Sequence, residues 1–402
     1  MDIARKVGVG LEMSPDLLTD EDSVTAFAKR MASEKPHAIL LHLQDIWAWS
    51  SAGIIADTGI PTIAFAPIGT AVTALMQGFS MRPGAHAISS SEAAPMEHAF
   101  RMVQSKRLYE ESRFLLLEGK EEKEETVESL GAKVLHQPLT ELSQSYLALS
   151  NSREAKDVAH SIWKNAAKVV EPSRKDVLDA ARFFVACKKV MQKNSANAIA
   201  PYCLEMLNDW RQAMEALPCL ASTIFLDNGI SFACDKDLLS ALSLMLGISL
   251  LERPGYICNT IPETYKNQLI LAHCTCATRL NGFNSPPEPL IIRSHAETSS
   301  AVATQVIWRK GQPVTVAQFL SPTEMLIDSG TVVDNIDTTT DGGCRTSVAL
   351  TMDRMQDVRT KLGTHQVMYY GDHRAILEAF CQLYRIKVIH SPERFEPSVE
   401  AT

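Results

Sequence analysis

The run Ala38-Ile39-Leu40-Leu41-His42-Leu43, a helix-like stretch over residues 47–57 and the apolar run Ile60-Pro61-Thr62-Ile63-Ala64-Phe65 follow one another with little loop between them. Two strands separated by a helix cannot form a hairpin, so the connection crosses over and the strands pair in parallel. A parallel sheet is covered by helices on both faces, which commits the start of the chain to an α/β layer. Upstream, Thr19 and Asp22 have capping-box spacing, and Val24, Phe27, Ala28 and Met31 recur on one helical face. Only Val7-Gly8-Val9-Gly10-Leu11 precedes that helix, so the layer begins without a clear opening strand and leaves a sheet edge that something, such as a second subunit, should cover.

A second α/β stretch opens at Arg113-Phe114-Leu115-Leu116-Leu117-Glu118. The charged run Lys120-Glu121-Glu122-Lys123-Glu124-Glu125 reads as a solvated helix start, and Ala132-Lys133-Val134-Leu135-His136 as the next strand. Ser173 and Asp176 cap a long helix carrying Val177, Ala180, Phe184, Cys187 and Met191, after which Ala198-Ile199-Ala200 and Ile230-Ser231-Phe232-Ala233-Cys234 read as buried strands. From about Pro254 the pattern changes to short β-rich segments over 269–273, 290–295, 303–308, 314–319, 325–327 and 347–350, with one late helix over 374–383 and a strand over 386–389. The pattern implies two doubly wound α/β layers, over residues 1–105 and 106–248, followed by a β-rich, mostly antiparallel domain over 249–402.

Charge and cysteine usage narrow the function classes. Lys and Arg total 39 against 47 Asp and Glu, a net −8 that argues against a nucleic-acid partner. No window approaches the roughly 18 to 20 apolar residues of a membrane helix, and Met1-Asp2-Ile3-Ala4-Arg5-Lys6 leads into no apolar signal core. The expectation is a cytoplasmic enzyme with no membrane partner. The nine Cys are odd in number and begin only at Cys187, which reads as reduced, mostly buried thiols rather than a disulfide framework.

Ligands of open α/β sheets bind at the carboxyl ends of strands, which singles out Asp235 in Ala233-Cys234-Asp235-Lys236-Asp237 as metal ligand, general base or helix cap. Asp237 reads as a pure cap. The run Leu269-Ile270-Leu271-Ala272 delivers His273, followed by Cys274 and Cys276. The paired Cys-x-x-Cys halves of a structural zinc site are missing, so a catalytic divalent cation held by His273 and a carboxylate fits better. His365 and His373 flank a late strand where turns begin, with Asp372 a candidate cap. Arg293, His295 and Glu297 alternate, so they either line a polar pocket from one strand face or form a solvated sheet face. In Asp341-Gly342-Gly343-Cys344-Arg345-Thr346 the glycines suit a turn, and Arg345 suits an oxygen-rich ligand; the phosphate-loop pattern is missing. Trp47 follows the first strand and offers a face for a sugar ring or for packing, and Glu205 follows a short strand.

These segments, in this order, resemble the L-fucose and L-arabinose isomerase superfamily, specifically its shorter fucose-isomerase-like proteins. The resemblance covers most of the chain. It is carried by Pro218-Cys219-Leu220, Asp227-Asn228-Gly229-Ile230, Ala233-Cys234-Asp235-Lys236-Asp237-Leu238, Leu271-Ala272-His273-Cys274, Arg293-Ser294-His295-Ala296-Glu297, Gly343-Cys344-Arg345-Thr346 and Gly371-Asp372-His373-Arg374. It implies a fold of two Rossmann-like doubly wound domains, the first shortened here by lack of the family's first strand and helix, followed by a β-rich, antiparallel barrel-like domain. It also implies a homo-oligomer, trimer or hexamer, that interconverts an aldose and a ketose with Mn²⁺ held by two carboxylates and a His, another His standing nearby. The first carboxylate falls on Asp235, where the family more often has Glu, and the His positions fall on His273 and His365. The second carboxylate falls at Cys258-Asn259-Thr260, which offers the Asn259 amide instead, leaving Glu297 as the candidate acid-base group.

The expected function is therefore a metal-dependent ketol isomerase acting on a small sugar or sugar derivative through an enediol. Asp235, Glu297 and His365 are the catalytic candidates; Asp235, His273 and His365 would hold the metal; Asn259, Arg293, His295, Arg345, His373 and Trp47 would bind substrate. A glycosidase using Asp235 and Glu297 as its acid-base pair, and a non-catalytic carbohydrate-binding relative, are the alternatives.

Overall fold

The computed structural model describes residues 2–119, 121–203, 216–338 and 343–395. The protein is a mixed α/β structure with parallel sheets and a closed six-stranded antiparallel β-barrel. The chain divides into two compact units, Met1–Tyr109 with Ala375–Val388, and Glu110–Arg374 with Ile389–Thr402.

The first unit is built on a parallel sheet in the order β1 (Ile39–His42), β2 (Thr62–Ala66), β3 (Ala85–Ser89). The crossover between β1 and β2 is the helix Ala48–Ala56, as the apolar pattern requires. Its partner helix Glu21–Glu34 is capped by Asp20, whose side chain accepts from Ser23 N–H, one residue beyond the expected Thr19 cap. Asp serves better than Thr there because a carboxylate also meets the positive end of the helix dipole. Val24, Ile39, Leu41, Trp49, Ile55, Ala64 and Phe79 make the core, and the helix Arg374–Leu383 returns to this unit through the Gln382 side chain on Ser80 and His86.

In the second unit the strands are β4 (Arg113–Leu117), β5 (Lys123–Val127), β6 (Ala132–Gln137), β7 (Lys168–Val169), β8 (Ala198–Pro201) and β9 (Ser231–Phe232), followed by β10 (Tyr256–Glu263), β11 (Gln268–His273), β12 (Leu290–Arg293), β13 (Ala303–Val306), β14 (Pro313–Ser321), β15 (Glu324–Asn335), β16 (Thr346–Met352) and β17 (His365–Tyr370). The first sheet has the order β5-β6-β4-β8-β9, parallel except for β5. The charged run expected to start a helix is thus β5, an antiparallel edge strand. Its first four residues are exposed, and Lys and Glu on an edge guard it against pairing with another chain. A small sheet, β13-β12-β7, joins the two halves of this unit.

The barrel runs β14-β17-β10-β11-β16-β15 and closes by pairing β14 with β15. Its interior is filled by side chains that the register sets on one face, such as Leu271, Val316, Leu326, Val348 and Met368, as a six-stranded barrel must be. The apolar helix Leu238–Leu250 follows β9 and lies on the barrel wall. Ser243 Oγ accepts from Phe319 N–H at 2.9 Å, and Tyr369 Oη donates to Ser243 O at 2.6 Å. Close approach requires Gly247, where a Cβ would fall inside contact distance of the Tyr369 ring. Gly247→Ala should lower unfolding stability by about 3 kcal/mol, because a buried ring cannot retreat from the added methyl. Thermal and urea unfolding of the variant measure this.

No helix among the described residues is long and apolar enough to cross a membrane. All nine cysteines are free, eight buried and Cys344 half-buried, as their distribution implies.

Candidate metal centre

Three side chains from separate elements of the second unit converge. Asp235 follows β9, His273 is the last residue of β11, and His365 is the first of β17. One potential ligand atom from each lies within 4.8 Å of the other two, so they form a potential metal-binding site.

Barrel register brings the histidines together. Asn259 of β10 pairs with Ala272 on one side and with His365 on the other, so β11 ends where β17 begins. With strands about 4.8 Å apart, the two histidine backbones stand roughly 10 Å apart across β10. Their rings lean together to a centroid separation of 6.1 Å. Asn259 occupies the strand between them.

Each histidine is oriented through Nδ1. His365 Nδ1 donates to Asp237 Oδ2 at 2.8 Å, and His273 Nδ1 lies 3.1 Å from the Thr275 hydroxyl. Both arrangements leave Nε2 for a metal, the outer-shell support that ligating imidazoles normally have. Asp237 is more than a cap. Its carboxylate accepts from Ser240 N–H at 2.9 Å at the start of the helix Leu238–Leu250, and it also holds His365.

The hydrogen bond to Asp237 raises the His365 pKa above the ordinary imidazole value, with burial opposing it. Burial works to raise Asp237, but its bonds to His365 and Ser240 prevail and hold the carboxyl below the usual carboxylate range. Burial lowers the pKa of His273, which keeps that ring neutral and ready to ligate.

Asp235 sits in a strained turn. Asp235 and Lys236 both have φ of +54°, a left-handed conformation costing roughly 1–2 kcal/mol for each non-glycine residue. Asp tolerates it better than Lys because its short side chain bonds locally. The strain is a feature of the site rather than of the strand, since β9 before it is regular.

The other candidates are placed differently. Strand β12 stops at Arg293, so the alternation through His295 and Glu297 does not form a strand face; residues 294–300 fold into a turn closed by His295 N–H on Ser300 O and Ser299 N–H on His295 O. The Arg293 guanidinium is held by Glu171, with Gln305 and Asp337 completing its contacts. Arg345 is completely buried, donating to Ser294 O at 2.7 Å and to Ser294 Oγ at 3.1 Å, so it straps this turn to the barrel. His295 contacts the thiol of Cys274, which also meets Cys344; Glu297 is exposed nearby. His373 Nε2 bonds to Tyr370 O at the far end of β17, about 16 Å along the strand from His365. Trp47 is 79% exposed in the first unit, whereas Trp49 packs against Phe79 and donates to Thr70 O. Glu205, Asp341 and Gly342 lie outside the described residues.

Sequence reasoning missed the second role of Asp237, the support from Thr275, and a polar group at the carboxyl ends of the parallel strands. There Glu118, after β4, meets Lys236 Nζ at 2.6 Å and His136 Nδ1 at 2.7 Å. Strand-end position is the signal that points to that group.

The chain matches no protein-family model and no curated protein. The chemistry of the site therefore stands on its own residues. Two imidazoles with anchored Nδ1 atoms and one carboxylate form a donor set suited to a borderline or hard divalent cation.

Proposed function

We propose that this chain is a metal-dependent ketol isomerase of the L-fucose and L-arabinose isomerase superfamily, interconverting an aldose and a ketose of a small sugar or sugar derivative. Convergence of Asp235, His273 and His365 at one end of the barrel carries the reading. We take Mn²⁺ as the metal, the two parallel sheets as Rossmann-like layers, and a cytoplasmic trimer or hexamer as the assembly.

A divalent cation bound there would polarise O1 and O2 of an open-chain sugar and acidify the C2 proton. Asp235, His273 and His365 would hold the ion, with Asp237 and Thr275 fixing the rings through Nδ1. Asn259 supplies an amide oxygen from the strand between the histidines but cannot act as a base. We assign the shuttling of the proton between C2 and C1 to Glu297, which stands beside His295. The association of Asp235 with two imidazoles favours a ligand over the acid of a glycosidase pair.

The test is ketose formation from a panel of aldoses. Chelation should abolish it, Mn²⁺ should restore it, and Asp235→Asn should reduce it at least about 100-fold, a loss on the scale of removing a general acid-base group or a metal's charge stabilisation. Turnover that survives both treatments would remove the reading.

A further inference from the structure

Lysine is an unexpected residue at position 236. The backbone there has φ of +54°, directly after Asp235 with the same value, and glycine would take that conformation without penalty. The Lys236 side chain, however, has a defined destination. Its Nζ lies 2.6 Å from Glu118 Oε2 and 4.7 Å from the centroid of the Tyr202 ring. Its backbone N–H donates to Pro201 O at 3.2 Å, and the Asp237 N–H closes the turn on Cys234 O at 3.0 Å.

Glu118 follows β4 and Tyr202 follows β8, the two strands between which the order β6-β4-β8-β9 reverses direction. That is the place where open parallel sheets bind ligands. Glu118 is itself fixed: His136 Nδ1 holds its other oxygen at 2.7 Å, and its backbone N–H donates to Gln137 O at 2.9 Å. Lys236 thus ties the left-handed turn to three strand ends. The pair is partly exposed, with 44% of the Lys236 and 21% of the Glu118 side chain open to solvent, so it adds little to global stability. Its effect falls on the adjacent residue.

We propose that Lys236, clamped by Glu118 and Tyr202, is a positioning residue for Asp235, holding that carboxylate in the ligand set before a cation arrives. The proposal rests on the metal-site reading above. Outer-shell residues that orient ligands typically change metal affinity 10- to 100-fold when lost.

Mn²⁺ titration calorimetry on the full chain tests it, using Glu118→Gln, Lys236→Met and Lys236→Gly, each alone and combined with Asp235→Asn. Positioning predicts that all three single variants bind Mn²⁺ about tenfold more weakly. A field effect alone has the opposite sign for Lys236, because removing a positive charge near a cation site should tighten binding. Lys236→Gly also relieves the backbone, so its melting temperature should equal or exceed that of the wild type while its affinity falls, which separates positioning from misfolding. In the Asp235→Asn background none of the three should weaken binding further. Tighter or unchanged binding in the Lys236 variants overturns the proposal, as does full weakening when Asp235 is already replaced. Absence of Mn²⁺ binding by the wild type overturns the metal reading, and the proposal with it.

Discussion

Replacing His273 with Ala should weaken Mn²⁺ binding by more than about 100-fold, beyond the 10- to 100-fold expected for loss of an outer-shell partner. His273 is 8% exposed and sits at the end of β11, so its ring is held in place by the packing around it. Two donors would remain, Asp235 and His365, and Asp235 already occupies a strained turn that leaves little room for adjustment. Asp237→Asn should cost less, because the amide oxygen can still accept from His365 Nδ1 while the charge that favours the donating tautomer is lost. The ordering His273→Ala far below Asp237→Asn, and Asp237→Asn below wild type, is the expected calorimetric result. Unfolding of each apo protein, followed by circular dichroism, separates ligation from folding. Mn²⁺ affinity left intact by His273→Ala would show that these three residues are not the site.

The parallel sheets were legible because buried strands announce themselves as unbroken apolar runs; β2, β4 and β8 all do. Asp235 was legible for the same reason, as the first carboxylate after such a run. His365 was different. Its role depends on the register that sets Asn259 opposite both Ala272 and His365, and register is decided by barrel closure across residues far apart in sequence. Local pattern marks only its strand-end position and nothing of the residues it meets. Asp237 shows the same limit: its spacing from Ser240 identifies the cap, yet the second contact comes from a residue 128 positions away. The charged run over 120–125, which reads as a helix start but enters strand β5 at Lys123, fails for a more local reason. A run of Lys and Glu suits an exposed helix and an exposed edge strand equally well, and the pairing of residues such as Glu125 with Val134 decides between them. Arg345 illustrates the remaining difficulty, since an Arg beside two glycines looks available for ligands until the turn at 294–300 is seen resting on it.

Mn²⁺ affinity should rise with pH by up to about tenfold per unit, with up to one proton released per ion, below the raised His365 pKa, and level off above it. The two histidines enter this in opposite senses. Burial lowers His273, so it is neutral and contributes no proton near pH 7. His365 is raised by its bond to Asp237 and carries the proton that must leave Nε2 before ligation, while Nδ1–H stays on Asp237. For the apo protein, His365 adds stability that is fully present below its unfolded value of about 6.5 and is lost as pH rises through the raised folded value. His273 acts the other way: its lowered folded value costs stability as pH falls below about 6.5, where the unfolded chain takes up a proton that the folded chain resists. Raising the pH thus removes the His365 contribution from the empty site and strengthens the occupied one, so the stabilisation by Mn²⁺ should grow steadily with pH over that range. Titrations in two buffers of different ionisation enthalpy count the protons directly. Asp237→Asn should move the affinity rise to lower pH, because the imidazolium loses the carboxylate that holds it. Flat affinity between about pH 5.5 and about pH 8, with no buffer-dependent heat, would mean that neither His365 nor any group coupled to it exchanges a proton for the ion.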